Sequence, residues 1–318
     1  MTKKIGFVLA VGALLAAPAI AGSGGALSLV PADVTAVGFV RVADLRSNPF
    51  QLRVFEETDK LTSDGDAARF LAEAGLDLRN DVDAVVACTT GSREARGRTL
   101  VAFEGRFDPA RVAAALTQRG AVGVSVAGGD YFRLKESSGE RGPGAVAVLG
   151  PNLILAGNET AVATALGARV SGGGGFSTGS GLGREYHRVD PAATAWVLVD
   201  VQGSRVYAER SGASSSGVMG ALKSVSVAAF QARVEGDALA VKATGLSEDE
   251  ETRELIEDAL RGVTAAWRLA AQEKNPELVS VIRQFKVTRD DEGVTISGTL
   301  PGDLIRSFTA AKRDRATR

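Results

Sequence analysis

Short apolar stretches joined by very short polar turns constrain the fold of this chain more than any other feature of its sequence. Residues 82–88 form one such stretch, and residues 145–149 and 153–156 are two more, separated only by Gly150-Pro151-Asn152. Glu235-Gly236-Asp237 separates another pair. Branched apolar side chains favour strands, and turns of this length connect strands that run antiparallel. The sequence therefore predicts antiparallel β-structure in both halves of the chain.

Helix-start signals alternate with these strands. Asp108 before Pro109, Asn158, and the Ser247–Glu250 capping-box pattern each precede a run with helical spacing of apolar residues. After the last of these, apolar side chains recur every three to four residues and are predicted to share one buried face: Leu255, Ile256, Ala259, Leu260, Val263, Ala266, Trp267 and Ala270. The predicted fold class is α+β, with antiparallel sheets, amphipathic helices packed on one face, and two similar halves.

A glycine-rich segment divides the chain. Seven glycines lie within the thirteen residues from Ser171 to Gly183. Ordering so many glycines costs much chain entropy, which favours a flexible connection over a regular element. We therefore predict an α+β domain over residues 26–170, a glycine-rich linker over 171–185 and a second α+β domain over 186–318.

The N-terminus has the three parts of a secretory signal peptide. Lys3 and Lys4 precede an apolar run over residues 5–20, and the small residues Ala19 and Ala21 precede Gly22. We predict a signal peptide over residues 1–21 and a periplasmic or secreted mature protein. The alternative is an uncleaved N-terminal anchor, although the run is short for a membrane span and contains Pro18.

Composition bounds the function. Hydrophobic residues make up 45% and charged residues 24%, so a packed core is expected. The formal net charge of −1 and the 5% content of aromatic residues argue against nucleic-acid binding. Cys88 is the single cysteine, so no internal disulfide can form, and its place at the end of an apolar strand predicts a buried thiol.

One catalytic pattern occurs. Gly175-Phe176-Ser177-Thr178-Gly179 matches the G-x-S-x-G motif of serine hydrolases, and His187 is the only histidine. That motif requires a strand-to-helix turn beside an oxyanion hole, and the histidine of those enzymes lies far downstream. Here the motif lies in the glycine-rich linker with the histidine ten residues on, which favours a chance match.

Metal-ligating patterns are also weak. Asp64 with Asp66, and Asp290 with Asp291 and Glu292, lack the ligand spacing of a calcium loop and fit a helix start and a hairpin turn instead. The acidic run 248–251 opens a helix, where the helix dipole favours negative charge. The sequence therefore assigns no catalytic, cofactor-binding or metal-binding residues and no cofactor.

Two stretches carry a resemblance. Residues 30–37 place Pro31-Ala32-Asp33 before a first strand, and residues 75–86 lead from a helix-ending glycine through an Asp-rich turn into a strand. Over these stretches the chain resembles a loose group of uncharacterised exported bacterial proteins. The resemblance implies an α+β fold and an envelope location, and it supplies no site residues.

These features together predict a non-enzymatic binding or scaffolding protein of the bacterial cell envelope. Its expected partner is a protein or small ligand in the envelope, with no nucleic acid and with membrane contact only if the N-terminal segment is retained. Two alternatives stay open: an extracytoplasmic hydrolase with an unrecognised carboxylate or serine site, and a membrane-tethered envelope component. A binding module should expose a large apolar patch, whereas a hydrolase should have a deep pocket lined by acids.

Overall fold

The computed structural model describes residues 24–46, 65–90, 98–135, 143–171, 175–176, 179, 181–203, 225–274 and 276–304. The predicted signal peptide, Asp64 and Ser177 lie outside these residues. The strands are β1 (Val34–Val40), β2 (Val82–Thr90), β3 (Arg98–Gly105), β4 (Val122–Val126), β5 (Gly129–Arg133), β6 (Gly144–Val148), β7 (Leu153–Asn158), β8 (Ala195–Asp200), β9 (Val227–Glu235), β10 (Ala238–Leu246), β11 (Lys286–Arg289) and β12 (Gly293–Pro301). The α-helices are α1 (Gly24–Leu27), α2 (Gly65–Ala74), α3 (Pro109–Gln118), α4 (Glu159–Ser171), α5 (Glu250–Lys274) and α6 (Pro276–Gln284), and 3-10 helices span Val42–Leu45 and Gly181–Arg188.

All twelve strands belong to one antiparallel sheet. Their order is β11-β12-β10-β9-β8-β1-β2-β3-β7-β6-β5-β4, and every neighbouring pair is antiparallel. This confirms the α+β class and the antiparallel pairing. The structure differs from the expectation of several sheets, because β1 pairs directly with β8 and joins the two parts of the chain, with Gly38 opposite Val197.

The strand order repeats on the two sides of the β1–β8 pair. In each half, three consecutive strands form a meander, and a helix follows the third strand. Further antiparallel strands come next, β4 to β7 in the first half and β11 to β12 in the second, and the last of them pairs with the third strand of the meander. β7 takes that place beside β3, and β12 takes it beside β10. The predicted similarity of the halves thus has a topological basis, while the division into two domains stays a prediction.

Helices lie on both faces of the sheet. In β7, Leu155 belongs to the largest buried cluster, which includes α4, whereas its neighbour Ile154 belongs to a second cluster with α3. Successive strand residues point to opposite faces, so α4 and α3 cover different faces. We expected helices on one face only; the strands are apolar on both sides in the centre of the sheet, and that pattern requires two covering layers.

The glycine-rich segment contributes to the largest core. Phe176 is 1% exposed and stacks on Trp196 of β8, with ring centroids 6.2 Å apart. Tyr186 packs edge-on against both rings. Gly175 is required here because a Cβ atom at this position would lie 2.5 Å from the carbonyl oxygen of Ser28. The described residues of this segment therefore pack into the fold.

Local helix and turn signals behave mostly as expected. The Asp108 carboxylate accepts hydrogen bonds from the amides of Ala110 and Arg111 and caps α3. Asn158 Oδ1, expected to cap α4, accepts a hydrogen bond from the Thr99 amide at 2.7 Å. The helix after the capping-box pattern begins two residues later than that pattern implies, because Asp249 Oδ2 accepts from the Thr252 amide at 2.7 Å.

Candidate binding surface

Helix α5 is held to the end of the sheet by its inner face. Ile256 is 2% exposed and clusters with Leu260 of the same helix and with Val287 and Val294 of the β11–β12 hairpin. Arg253, also buried, donates from Nη1 to the carbonyl oxygens of Ser247 and Glu248 at 2.8 and 2.9 Å.

An ion pair network strengthens this attachment. The Glu257 carboxylate, 11% exposed, lies 2.6 Å from Arg261 Nη2 and 3.1 Å from Arg289 Nε of β11. One helical carboxylate thus ties α5 to the edge strand of the sheet. The inner face of α5 is therefore fixed by both apolar packing and charge pairing.

No described element covers a second apolar face of α5. We call it the outer stripe; it consists of residues spaced at helical intervals on one side: Leu255, Ala259, Gly262, Ala266 and Leu269. Leu255 is 60% exposed and Leu269 is 67% exposed, and a Cβ atom at Gly262 would meet no neighbouring atom within 4 Å. Two leucines therefore flank a line of small residues, with room for another element to approach the helix backbone closely.

The length of α5 carries its C-terminal part beyond the sheet. The helix has 25 residues, whereas α3, its counterpart in the first half, has 10. At about 1.5 Å per residue α5 spans roughly 37 Å, well beyond the four-residue strand β11 on which it packs. Trp267, predicted to be buried, is 58% exposed for this reason.

Acidic side chains border the outer stripe. Glu251, Glu254 and Asp258 follow one another along one flank of α5, and all three are exposed. Of these, Glu254 has a distant partner in Arg289, 3.8 Å away. The combined surface is apolar along its centre and negative along one edge.

Between α5 and α6 lies a small arginine-lined cavity of about 280 Å³. Arg261, Arg268 and Arg283 surround it, and Phe285 and Val287 form its apolar wall. Phe285 fits there because β12 has glycine at position 298, where a Cβ atom would lie 2.7 Å from the phenyl ring. This cavity lies on the side of α5 away from the outer stripe.

A larger cleft of about 440 Å³ lies over β9, β10 and β12. Its charged side chains include Arg233, Lys242 and Lys286 with Asp190 and Glu235. Asp190 is bonded to Arg233 and also accepts from the Ala192 amide at 2.7 Å. The cleft is mixed in charge, with one of its two carboxylates occupied by an internal ion pair.

Cys88 and His187, the two residues considered for nucleophilic chemistry, lie in different environments. Cys88 is buried, as predicted, and burial raises the pKa of its thiol to about 12, which keeps it protonated and unreactive. His187 Nδ1 lies 2.7 Å from the carbonyl oxygen of Arg184 within its own 3-10 helix. Ser177 lies outside the described residues, so the hydrolase alternative stays a prediction.

Asp66, Asp290 and Glu292, three of the carboxylates considered as metal ligands, have structural partners. Asp290 Oδ1 accepts from the amides of Glu292 and Gly293, which closes the β11–β12 turn. These amide bonds hold the pKa of Asp290 below its usual value. Glu292 pairs with Arg188 at 2.5 Å, and Asp66 pairs with Arg69 one helical turn away. Within the described residues, no three His, Cys, Asp or Glu side chains are grouped as metal ligands would be.

Glu104 is a half-buried carboxyl whose pKa is raised, as that of a catalytic general acid often is. Burial raises its pKa, and the nearby Asp83 acts in the same direction. Its Oε1, however, accepts the Ala26 amide at 2.7 Å and so fixes the N-terminal residues on β3. This contact gives Glu104 a structural role.

The sequence indicated the apolar residues of α5 but assigned them to a single buried face. The structure separates Ile256 and Leu260, which pack inward, from Leu255 and Ala266, which face solvent. The sequence signal that could have shown this was the width of the apolar arc around α5, which is broader than one neighbouring layer can cover.

Among the described helices, none combines the length and the apolarity needed to cross a membrane.

The fold and this surface define an α+β protein built on one continuous antiparallel sheet, with an apolar helix face that no described element covers. No protein-family model and no curated protein matches the sequence. Solved structures of TP0453 are similar in fold: crystal form III has a TM-score of 0.52 at 8% identity and covers 90% of this chain and 98% of that chain. Crystal form IV has a TM-score of 0.51 at 10% identity, covering 90% and 99%. At these identities the likeness concerns the fold alone.

Proposed function

We propose that this chain is an exported, non-enzymatic binding or scaffolding protein of the bacterial cell envelope, and that the outer stripe of α5 is its binding surface. The observation that carries the proposal is the exposure of Leu255 and Leu269, 60% and 67%, at the two ends of a stripe of small residues. Exposed apolar patches on a folded protein mark interaction sites.

The chemistry of the surface favours one kind of partner. Small residues let a helix approach closely, and leucines at both ends supply anchors of the helix-in-groove type. The acidic flank formed by Glu251, Glu254 and Asp258 attracts basic side chains and repels an anionic surface. The expected partner is therefore an amphipathic helix of another protein, with basic residues beside its apolar face.

A charge placed in the outer stripe should weaken this binding. The probe is a labelled synthetic helix with a leucine face bordered by lysines, titrated with the purified protein and followed by fluorescence anisotropy. Ala266→Asp should weaken binding by about tenfold or more, because the carboxylate would be buried against apolar groups. Gln272→Asp makes a similar charge change in line with Glu254 on the acidic flank of the same helix, outside the outer stripe, and should not weaken binding.

The same titration has outcomes that oppose the proposal. Equal binding by the wild type and Ala266→Asp would exclude the outer stripe as the site. Equal or stronger binding of a peptide with glutamates in place of the lysines would exclude the basic partner. A benzophenone side chain at position 266 should also give a discrete cross-linked protein in intact cells, and one at position 272 should not.

Export predicts a particular N-terminus. Protein from fractionated cells should begin at Gly22 and occur in the soluble envelope fraction or the medium, because Ala19 and Ala21 fit the small-residue preference of the peptidase. N-terminal sequencing with intact-mass measurement tests this. A full-length chain in the membrane fraction would instead support the membrane-tethered alternative.

A further inference from the structure

We propose that this protein forms a symmetric dimer by pairing β4 with β4 of a second copy, which extends the sheet across the two chains. This surface is at the opposite end of the sheet from α5 and is independent of the proposed binding function. Among the described strands, β4 is the last at its end of the sheet and is hydrogen-bonded only to β5. Terminal strands present free amides and carbonyls that can pair with another strand.

The geometry of the β4–β5 hairpin identifies the free groups. Its loop has two residues, with Val126 opposite Gly129, and the pair that closes such a loop exchanges both hydrogen bonds. Bonding then alternates, so Val122 and Val124 also bond to β5, whereas Gly123 and Ser125 direct their backbone groups outward. Both Gly123 and Ser125 are exposed, and a Cβ atom at Gly123 would meet nothing within 4 Å.

The sequence of β4 is self-complementary. Val-Gly-Val-Ser-Val reads nearly the same in both directions, so an antiparallel copy centred on Val124 places valine opposite valine and Gly123 opposite Ser125. With a two-fold axis through Val124, the outward backbone groups of Gly123 and Ser125 in one chain form hydrogen bonds with those of the other chain. Self-pairing of this kind gives the closed, isologous interface of a two-fold dimer.

Charge distinguishes β4 from the other end of the sheet. β4 has no charged residue, whereas the edge strand β11 carries Lys286 and Arg289. Lysines and arginines on an edge oppose strand addition, because like charges meet when two copies approach. The sheet is thus protected at β11 and open at β4, and a second copy brings no charge to oppose pairing.

Exposed apolar side chains near β4 can add contacts to the proposed dimer interface. Val122 is 60% exposed, and Val170 in the last turn of α4 is 64% exposed. The backbone of Leu166 in α4 packs so closely on Gly128 that this glycine has no room for a side chain. The two-fold arrangement brings Val122 of one copy towards the turn of the hairpin of the other, on which the Leu166 backbone of α4 packs.

Sedimentation equilibrium on the purified protein tests the dimer and its position. The wild type should show a monomer–dimer equilibrium, and Gly123→Lys should weaken it by about tenfold or more, since both copies carry the new charge. Thr288→Lys, the same charge change on β11, should leave it unaltered. A wild type that stays monomeric, or equal weakening by both variants, would overturn the proposal.

Disulfide trapping tests the register separately from folding. Val124→Cys should form a linked dimer on mild oxidation, because residue 124 faces its own copy in a closely spaced antiparallel pair. Val122→Cys should not, since its two copies would lie about 13 Å apart along the strand. The buried Cys88 contributes no background. Linkage at 122 but not at 124 would exclude this register.

Discussion

Replacing Trp196 with alanine should destabilise the protein by about 3–5 kcal/mol, the usual cost of removing a fully buried aromatic side chain. Trp196 is 1% exposed and lies in β8 at the centre of the sheet. It contacts three aromatic rings, with centroids 5.4 Å from Tyr186, 5.8 Å from Phe39 and 6.2 Å from Phe176. A loss of this size is a large part of the total stability of a typical domain, about 5–15 kcal/mol.

Trp267→Ala is the matched control, since the chain has only these two tryptophans. Trp267 is 58% exposed, so its removal should cost less than about 1 kcal/mol. Urea unfolding followed by circular dichroism gives both values. Similar losses for the two variants would contradict the burial of Trp196 under the glycine-rich segment.

A double-mutant cycle measures how much the contact between Phe176 and Trp196 contributes to stability. Phe176 reaches Trp196 from the glycine-rich segment, whereas Phe39 reaches it from the neighbouring strand β1. Combining Phe176→Leu with Trp196→Leu should give a coupling energy of about 0.5–1.5 kcal/mol, typical of stacked rings. No coupling would mean that the glycine-rich segment does not pack on the sheet in solution.

Features encoded within a few residues were predictable from sequence. The Asp108 cap, the turn at Gly150-Pro151-Asn152 and the hairpin at Gly236 depend on local backbone preferences, and the structure has all three. The burial of Cys88 followed from its position in an apolar strand. In each case neighbouring residues alone decide the conformation.

Features that depend on distant partners were not predictable. The β1–β8 contact joins Phe39 to Trp196 across the chain, and no local pattern specifies which strands meet. Glycine density predicted a flexible connection, and the packing of Phe176 was missed because its partner Trp196 lies in a strand twenty residues further along the chain. For α5 the apolar residues were identified, but their division into an inner face and an outer stripe depends on where the sheet and α6 end.

The attachment of α5 can be tested at Glu257. Glu257→Ala should cost about 1–2 kcal/mol, because Arg289 loses its nearest carboxylate while Arg261, already 60% exposed, can be hydrated instead. Glu254→Ala is the control: its carboxylate is 63% exposed and 3.8 Å from Arg289, so the expected loss is within about 0.5 kcal/mol. Urea unfolding measures both free energies of unfolding.

Hydrogen exchange shows whether that loss is local to the helix. If the Glu257 pairs hold α5 on the sheet, Glu257→Ala should speed amide exchange in residues 250–274 and leave β2 and β3 unchanged. If both glutamate variants behave alike, the apolar contacts of Ile256 and Leu260 are sufficient to hold the helix. In the first case charge pairing fixes the position in which the outer stripe is presented; in the second, packing of the inner face does so alone.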